Sequence, residues 1–360
     1  MYDFVVVGAG PAGSRFARQA ATAGHDVVVF EQGEIGTPLA CSGHVSTDIR
    51  EYVAAEAYSD LQQNQIFGAE FHVGGPDSTA YPFYKTEPVS HVIDRVGLDK
   101  QLAAEAREAG ATIREQHTVT AVDEHDDHVS VTVSPAATTS TRTVQGKMVA
   151  GCDGPTSRVR QSVGLADPEE LLHGVLAFDS APDAGDFVDV HLTAPTFFAW
   201  RIPRGDAGVE YGLAAPPGAD VSQRFDQLKA AYDVETTQFC SGAIPVGPPE
   251  TVTTRRVFLL GDAAAQTKPF TGGGILYGMT AADCAASNID PTAPETLAAY
   301  ERAWRDELGR EIWLGKLLRR CYTLPTALQR RGLAALSGEI AVHMDRPTSL
   351  FSREQLRQFL

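Results

Sequence analysis

The 360-residue chain is poor in cysteine and in lysine. Its five cysteines, Cys41, Cys152, Cys240, Cys284 and Cys321, are odd in number, widely spaced and free of any CxxC pair. That argues against a disulfide framework and a cysteine zinc site, and for a reducing cytoplasm. No histidine pair has ligand spacing beside acids or cysteines, so no metal is expected. No apolar run is long enough to span a bilayer. The opening "DFVVVGAG" has no basic segment and is cut short by glycine, so no signal peptide is expected. Lysine occurs only at Lys85, Lys100, Lys147, Lys229, Lys268 and Lys316, and the other basic residues are arginine. Against 46 acids, the 30 basic residues leave a formal charge of -16. Such a surface repels phosphates, which sets nucleic acid aside as a partner. Acid runs such as "DEHDD" (Asp123–Asp127) and scarce lysine fit adaptation to high salt, since this surface self-repels at low ionic strength.

What is present reads as a nucleotide-binding scaffold with an insertion. The hydrophobic fraction of 43% can build a real core. Residues 2–8 read as a short Val-rich buried strand, Gly10–Gly24 as a helix, and His25–Gln32 as a second strand. Arg95–Gly110 reads as a helix closed by glycine. The stretch 111–133 alternates as strands with a hairpin near Asp126–Asp127, and Ser134–Thr143 is a low-complexity turn. Lys147–Gly154 and Arg255–Ala264 read as further buried strands ending in glycine turns. Val175–Ala215 is strand-like, a helix is expected from Gly274 to about Ser287, and the chain from Pro294 onward reads as helical.

Three strand-to-turn segments carry chemistry. In "VVVGAGPAGS", Gly8, Gly10 and Gly13 form GxGxxG between a strand and a helix. The first glycine allows a tight turn, the second admits a pyrophosphate, and the third allows close helix packing. Glu31 ends the next strand, where a carboxylate can accept from ribose hydroxyls. "CDGPTSRVR" (Cys152–Arg160) and "GDAAAQTKPFTGGGI" (Gly261–Ile275) repeat the strand-to-turn logic. Asp262 suits a ribityl hydroxyl, and the Gly272–Gly274 run presents backbone N–H groups to a flat ring or a phosphate. Each could also be a plain Asp-capped link; three in this order are specific.

This set resembles the flavoprotein group that includes aromatic hydroxylases and prenyl reductases. The resemblance implies FAD as cofactor, bound by Gly8, Gly10, Ala12, Gly13, Glu31, Gln32, Cys41, Ser42, Gly43, Arg95, Val122, Asp153, Asp262, Gly273, Gly274 and Ile275. It also implies that Arg95 faces the phosphates and that Asp153 lies in a turn touching FAD and a nicotinamide donor. "PLACSG" (Pro38–Gly43) is similar to the PxxCxG element of geranylgeranyl reductases. "FFAWRIPRGDAGVEYGLA" resembles their aromatic-x-Trp element, carried by Phe198, Trp200, Pro203 and Gly212 as substrate-binding residues. Ile202 stands where phenylalanine is usual, and Ala214 where the last glycine is usual. The resemblance covers roughly residues 1–290, and archaeal enzymes that saturate membrane-lipid isoprenoids match best.

The expected fold is therefore α/β with an α+β insertion: a Rossmann-like three-layer FAD domain, a discontinuous antiparallel-sheet substrate domain, and C-terminal helices. The expected divisions are 1–70, 95–165 and 250–290 for FAD, 71–94 and 166–249 for the sheet, and 291–360 for the helices. The implied reaction passes a hydride from reduced flavin to an isoprenoid alkene, with ferredoxin, NAD(P)H or reduced flavin as electron donor. Cys41 is the candidate catalytic residue near the flavin; alone, it would read as a buried filler. Phe197, Phe198 and Trp200 suit either a core or the wall of an apolar tunnel. Over Glu311–Arg331, Lys316, Arg319, Arg320, Arg330 and Arg331 accompany Ile312, Trp313, Leu317 and Leu318. This basic amphipathic pattern suits peripheral contact with the inner face of a membrane, or a packed helix with a solvated side. The rivals are an aromatic monooxygenase and a prenyl-binding carrier of the same fold. A quinone-linked reductase would need an iron–sulfur cysteine set, which this chain does not have.

Overall fold

The computed structural model describes residues 1–37, 41–138, 140–340, 343 and 345–351. Pro38 of the PxxCxG element lies outside the described residues, whereas Cys41, Ser42 and Gly43 lie within them.

The strand Tyr2–Val7 is central to a seven-stranded sheet. It pairs in parallel with Val27–Phe30 on one side and with Arg142–Gly151 on the other. Val257–Leu259 runs parallel beside the end of Arg142–Gly151. These strands are almost wholly valine, alanine and phenylalanine where buried, as a sheet covered on both faces requires. Pro11 opens the first helix, Pro11–Thr22, where its missing N–H costs nothing. Phe16 from this helix is fully buried and meets Phe4 and Phe258 edge-on, at 5.1 and 5.2 Å between centroids. Each such buried ring contributes roughly 2–3 kcal/mol. The helices Arg95–Glu108 and Ile275–Asn288 pack against Pro11–Thr22. Asp94 caps the former by accepting from Val96 N at 3.0 Å.

A second sheet has eight strands, ordered Thr237–Val246, Glu170–Asp179, Val209–Ala215, Ala199–Pro203, Phe187–His191, Gly68–His72, Ala80–Tyr84 and Gly338–Glu339. Its pairings are antiparallel except at Phe187–His191 with Gly68–His72 and at the last pair. A third, three-stranded sheet joins His44–Ser46, Ser90–Ile93 and Gln62–Ile66. The architecture is the expected mixed α/β fold with C-terminal helices.

Several boundaries differ from the sequence expectation. The division at residue 70 falls inside the strand Gly68–His72, which lies in the eight-stranded sheet. Ser90–Ile93 belongs to the small sheet with segments expected on the FAD side. Within the C-terminal region, Gly338–Glu339 leaves the helical pattern to extend a sheet edge. The strand expected over 255–264 is only Val257–Leu259, because Gly261 takes a φ of +62° and starts a short 3-10 turn, Gly261–Ala264.

The helix Leu297–Arg319 covers Ile275–Asn288 and buries Tyr300 and Trp304 completely. Tyr300 Oη donates to Leu259 O at 2.7 Å and accepts from Gln266 Nε2 at 3.0 Å. Gln266 Oε1 in turn accepts from Gly261 N at 2.8 Å. A C-terminal helix thereby fixes the turn that carries Asp262.

Candidate active site

Because Tyr2–Val7, Arg142–Gly151 and Val257–Leu259 are parallel neighbours, the turns after them meet at one sheet edge. Their backbones touch. A Cβ on Gly8, where φ is +100°, would lie 2.3 Å from Cys152 O, and one on Gly13 would lie 2.1 Å from Gly8 O. A Cβ on Gly10 would meet nothing within 4 Å. Two glycines therefore permit close packing, and the middle one keeps an open approach to the backbone.

That opening is part of a cavity of about 650 Å³. One end is lined by Gly10, Pro11, Ala12, Arg95, Asp262 and the run Gly272–Ile275. Each glycine of the run makes room for a different side chain. A Cβ on Gly272 would lie 3.1 Å from Phe197 Cζ, on Gly273 2.7 Å from Lys268 Cε, and on Gly274 2.5 Å from Asp262 Oδ1. Arg95 pairs with Asp99, yet its buried Nε has no hydrogen-bond partner. Burial works against the Arg95 charge, but Asp99 and the neighbouring Cys41 thiol more than offset it and raise its pKa. A buried guanidinium with an Nε left free, beside an open glycine backbone, fits the pyrophosphate of FAD. Asp262 is pushed up to about 6 by burial, with Arg95 opposing.

The other end of the cavity is apolar. It is lined by Trp200, Ile202, Val188 and Val190 of the large sheet, by Phe198 just before the strand Ala199–Pro203, and by Leu318, Leu333 and Leu336 of the C-terminal helices. Trp200 stands opposite Gly212 across the strand pair, and a Cβ on Gly212 would lie 2.4 Å from the indole. Glycine there lets the indole lie over the neighbouring strand. Cys41, Ser42 and His44 also line the cavity.

Not every predicted residue lines the cavity. Glu31 holds the GxGxxG loop: its carboxylate accepts from Ala9 N at 2.8 Å and Gly33 N at 3.2 Å. Gln32 beside it is exposed. The Asp153 carboxylate accepts from Ser157 Oγ, Arg158 N and Val159 N at 2.6–3.0 Å, capping the helix Arg158–Ser162, while its neighbours Cys152 and Gly154 line the cavity. Val122 lies in the core of the first sheet. Gly43 packs on Ile93 O, where its φ of +71° leaves no room for a side chain. Pro203 is buried behind the wall.

Sequence reasoning did not single out His44 or Lys268. His44 Nε2 and Ser90 Oγ are hydrogen-bonded at 2.7 Å. Burial, and then the Lys268 ammonium, push the His44 ring down to about 3, so it is neutral at ordinary pH. Lys268 lines the cavity and pairs with Asp345, both nearly buried. The position of Lys268 directly before the "PFTGGG" run was the available signal. Among the described residues two groups of histidine and carboxylate do gather in space, Asp48–His343–Asp345 and Glu70–His72–Asp189. Each already holds a protein cation, Lys268 on Asp345 and Arg201 on Asp189, so neither is assigned a metal.

A family profile described as FAD binding domain matches residues 1–228. A digeranylgeranylglycerophospholipid reductase of Methanosarcina acetivorans is 28% identical over 354 residues, covering 89% of this chain and 85% of that protein. Another of the same name from Methanothrix thermoacetophila is 30% identical over 337 residues, covering 86% and 84%. Among solved structures, a geranylgeranyl bacteriochlorophyll reductase-like protein from Thermoplasma acidophilum shares the fold with a TM-score of 0.85 at 22% identity. That match covers 100% of this chain and 99% of the other.

The raised Asp262 pKa has a measurable consequence in protein freed of cofactor. An unfolded aspartate titrates near ~3.9, so the folded state holds this proton more tightly. The contribution is present below about pH 4 and is lost as pH rises through about 6. Asp262→Asn should therefore become more stable relative to wild type as pH rises across that window, read as urea midpoints. A difference that stays flat with pH contradicts the assignment.

Proposed function

This chain belongs to the FAD-binding-domain family and, within it, to the digeranylgeranylglycerophospholipid reductases, and from that premise we propose that it saturates isoprenoid double bonds of a geranylgeranyl glycerol-ether membrane lipid. The observation that carries this reading is the single cavity that joins a nucleotide-type glycine edge to an aliphatic and aromatic bore. A polyprenyl chain needs such a bore, and a small polar ring does not.

When bound and reduced, FAD would supply a hydride for one alkene carbon, the other carbon taking a proton. The residues of the chain bind, orient and exclude water. The open backbone at Gly10 and Arg95, whose buried Nε has no hydrogen-bond partner, would hold the pyrophosphate, Asp262 would accept from a ribityl hydroxyl, and Gly273 and Gly274 would admit the flat ring. Phe198, Trp200 and the facing leucines keep the bore dry. Cys41, beside Arg95 at the junction of the two ends, offers a hydrogen-bond donor or a proton near the reacting alkene. His44, held neutral, is not the acid.

The lipid enters from a membrane surface under this reading. Five of the exposed large apolar residues, Trp313, Leu317, Leu324, Leu328 and Leu336, fall on the two C-terminal helices Leu297–Arg319 and Thr326–Leu336 and their link. Leu333 and Leu336 reach the cavity from the same helix. Lys316 and Arg319 are paired with Glu169 and Glu170, so the basic contribution comes from the exposed Arg320, Arg330 and Arg331. Among the described residues no helix is long and apolar enough to cross a membrane.

Two experiments test the reading. FAD-loaded protein reduced anaerobically with dithionite should add pairs of hydrogens to a digeranylgeranylglycerol phospholipid, seen by mass spectrometry. Unchanged lipid together with phenol-stimulated, oxygen-dependent NAD(P)H oxidation would instead identify a monooxygenase. For the surface, Leu317→Ser with Leu328→Ser should weaken sedimentation with phosphatidylglycerol vesicles by about tenfold or more. Equal binding by the variant and the parent contradicts the membrane face.

A further inference from the structure

A buried ion pair behind the bore belongs to none of the roles given above. Glu210 is entirely buried and Arg204 is 5% exposed. Glu210 Oε1 accepts from Trp200 Nε1 at 2.8 Å, and its Oε2 accepts from Arg204 Nη1 at 2.9 Å. The same guanidinium donates to three further acceptors. Nη1 reaches the carbonyl of Ser42, and Nη2 reaches Gln63 Oε1 at 2.6 Å and Ile93 O at 3.3 Å. Its face lies 5.3 Å from the centroid of the Phe178 ring.

These contacts join three separate pieces of chain. Trp200 and Glu210 sit on adjacent strands of the large sheet. Gln63 and Ile93 belong to the small sheet. Ser42 follows Cys41 in the cavity-lining loop. That loop is already pinned once, because Ile93 N donates to Gly43 O at 3.0 Å. Arg95, which lies beside the Cys41 thiol, follows Ile93 by two residues. One planar fork therefore fixes both flanks of the Cys41–Arg95 junction while its carboxylate partner holds the indole of the bore wall.

Stability alone does not explain the pair. Burying two charges costs about what their attraction returns, and apolar residues of similar volume commonly serve as well. What an apolar pair cannot reproduce is five directed hydrogen bonds to fixed acceptors and one indole.

We propose that Arg204 and Glu210 are positioning residues that hold the Trp200 wall of the bore in register with the Cys41–Arg95 junction, and so set which double bonds of a bound chain are saturated. The clause on double bonds rests on the reductase reading; the register of the loop does not.

The test uses FAD-loaded Arg204→Met/Glu210→Leu and Arg204→Lys, with the rate of N-ethylmaleimide labelling at each cysteine read by peptide mass spectrometry. Cys41 should label about tenfold faster in both variants, the loop having lost charge-assisted hydrogen bonds. Labelling of Cys152 and Cys321 should be unchanged, and the thermal midpoint of the double variant equal to or above that of the parent. With lipid, the products should shift from fully to partly saturated. An unchanged Cys41 rate overturns the proposal, as does a uniform rise at all cysteines with a lowered midpoint. If the parent leaves the lipid unreduced, the reductase reading fails, and the Cys41 rates still decide the clamp.

Discussion

The close approach of the Gly8 backbone to the Cys152 carbonyl constrains most of what surrounds the cavity. No side chain fits between them, and Gly13 is packed as tightly on Gly8 itself. The helix Ile275–Asn288 repeats the arrangement on the far side, where a Cβ on Gly278 would lie 3.1 Å from the Gly261 Cα. Segments far apart in the chain are thus drawn backbone to backbone at the edge of one sheet. The space this leaves in front of Gly10 is what a dinucleotide occupies. The Tyr300–Gln266–Gly261 hydrogen bonds then transmit the position of the C-terminal helix to the Asp262 turn.

The bore follows from the second sheet. Its strands turn aromatic and branched side chains toward the C-terminal helices, and Gly212 and Gly272 remove the side chains that would otherwise meet Trp200 and Phe197. Several polar groups around the bore are engaged. His44 is bonded to Ser90, Lys268 to Asp345, and Glu210 to both Arg204 and Trp200. Among the described residues, Arg95 Nε and Thr271 Oγ1 are buried cavity-lining atoms without a partner, and the cationic one is suited to an added anion.

The nucleotide half was legible because its requirements are local. A strand, a glycine turn and a helix follow one another between Tyr2 and Thr22, and again between Val257 and Asn288, so GxGxxG and the Asp262 turn could be placed before any fold was known. The large sheet was legible only in outline. Gly68–His72 and Phe187–His191 are parallel partners more than a hundred residues apart, and alternation says nothing of such pairing. The resemblance places Asp153 in a turn touching the cofactor, and its neighbours Cys152 and Gly154 do line the cavity, while its own carboxylate binds the start of a short helix; Asp suits both settings equally well in sequence. Arg204 and Glu210 lay inside a recognised motif yet carried no signal, since a charged pair on neighbouring strands usually faces solvent. The basic C-terminal stretch was overcounted, because Glu169 and Glu170 reach it only through the fold.

The central claim is that one cavity lets electrons pass from bound flavin to an isoprenoid chain. Its most direct measurement is anaerobic stopped-flow absorbance of the dithionite-reduced, FAD-loaded protein mixed with geranylgeranyl glycerol lipid, and with the fully saturated lipid as comparison. The account predicts that the oxidised flavin spectrum returns only with the unsaturated lipid, one flavin reoxidised for each double bond lost. Reduced flavin that persists with both lipids, or reoxidises equally with both, would contradict it.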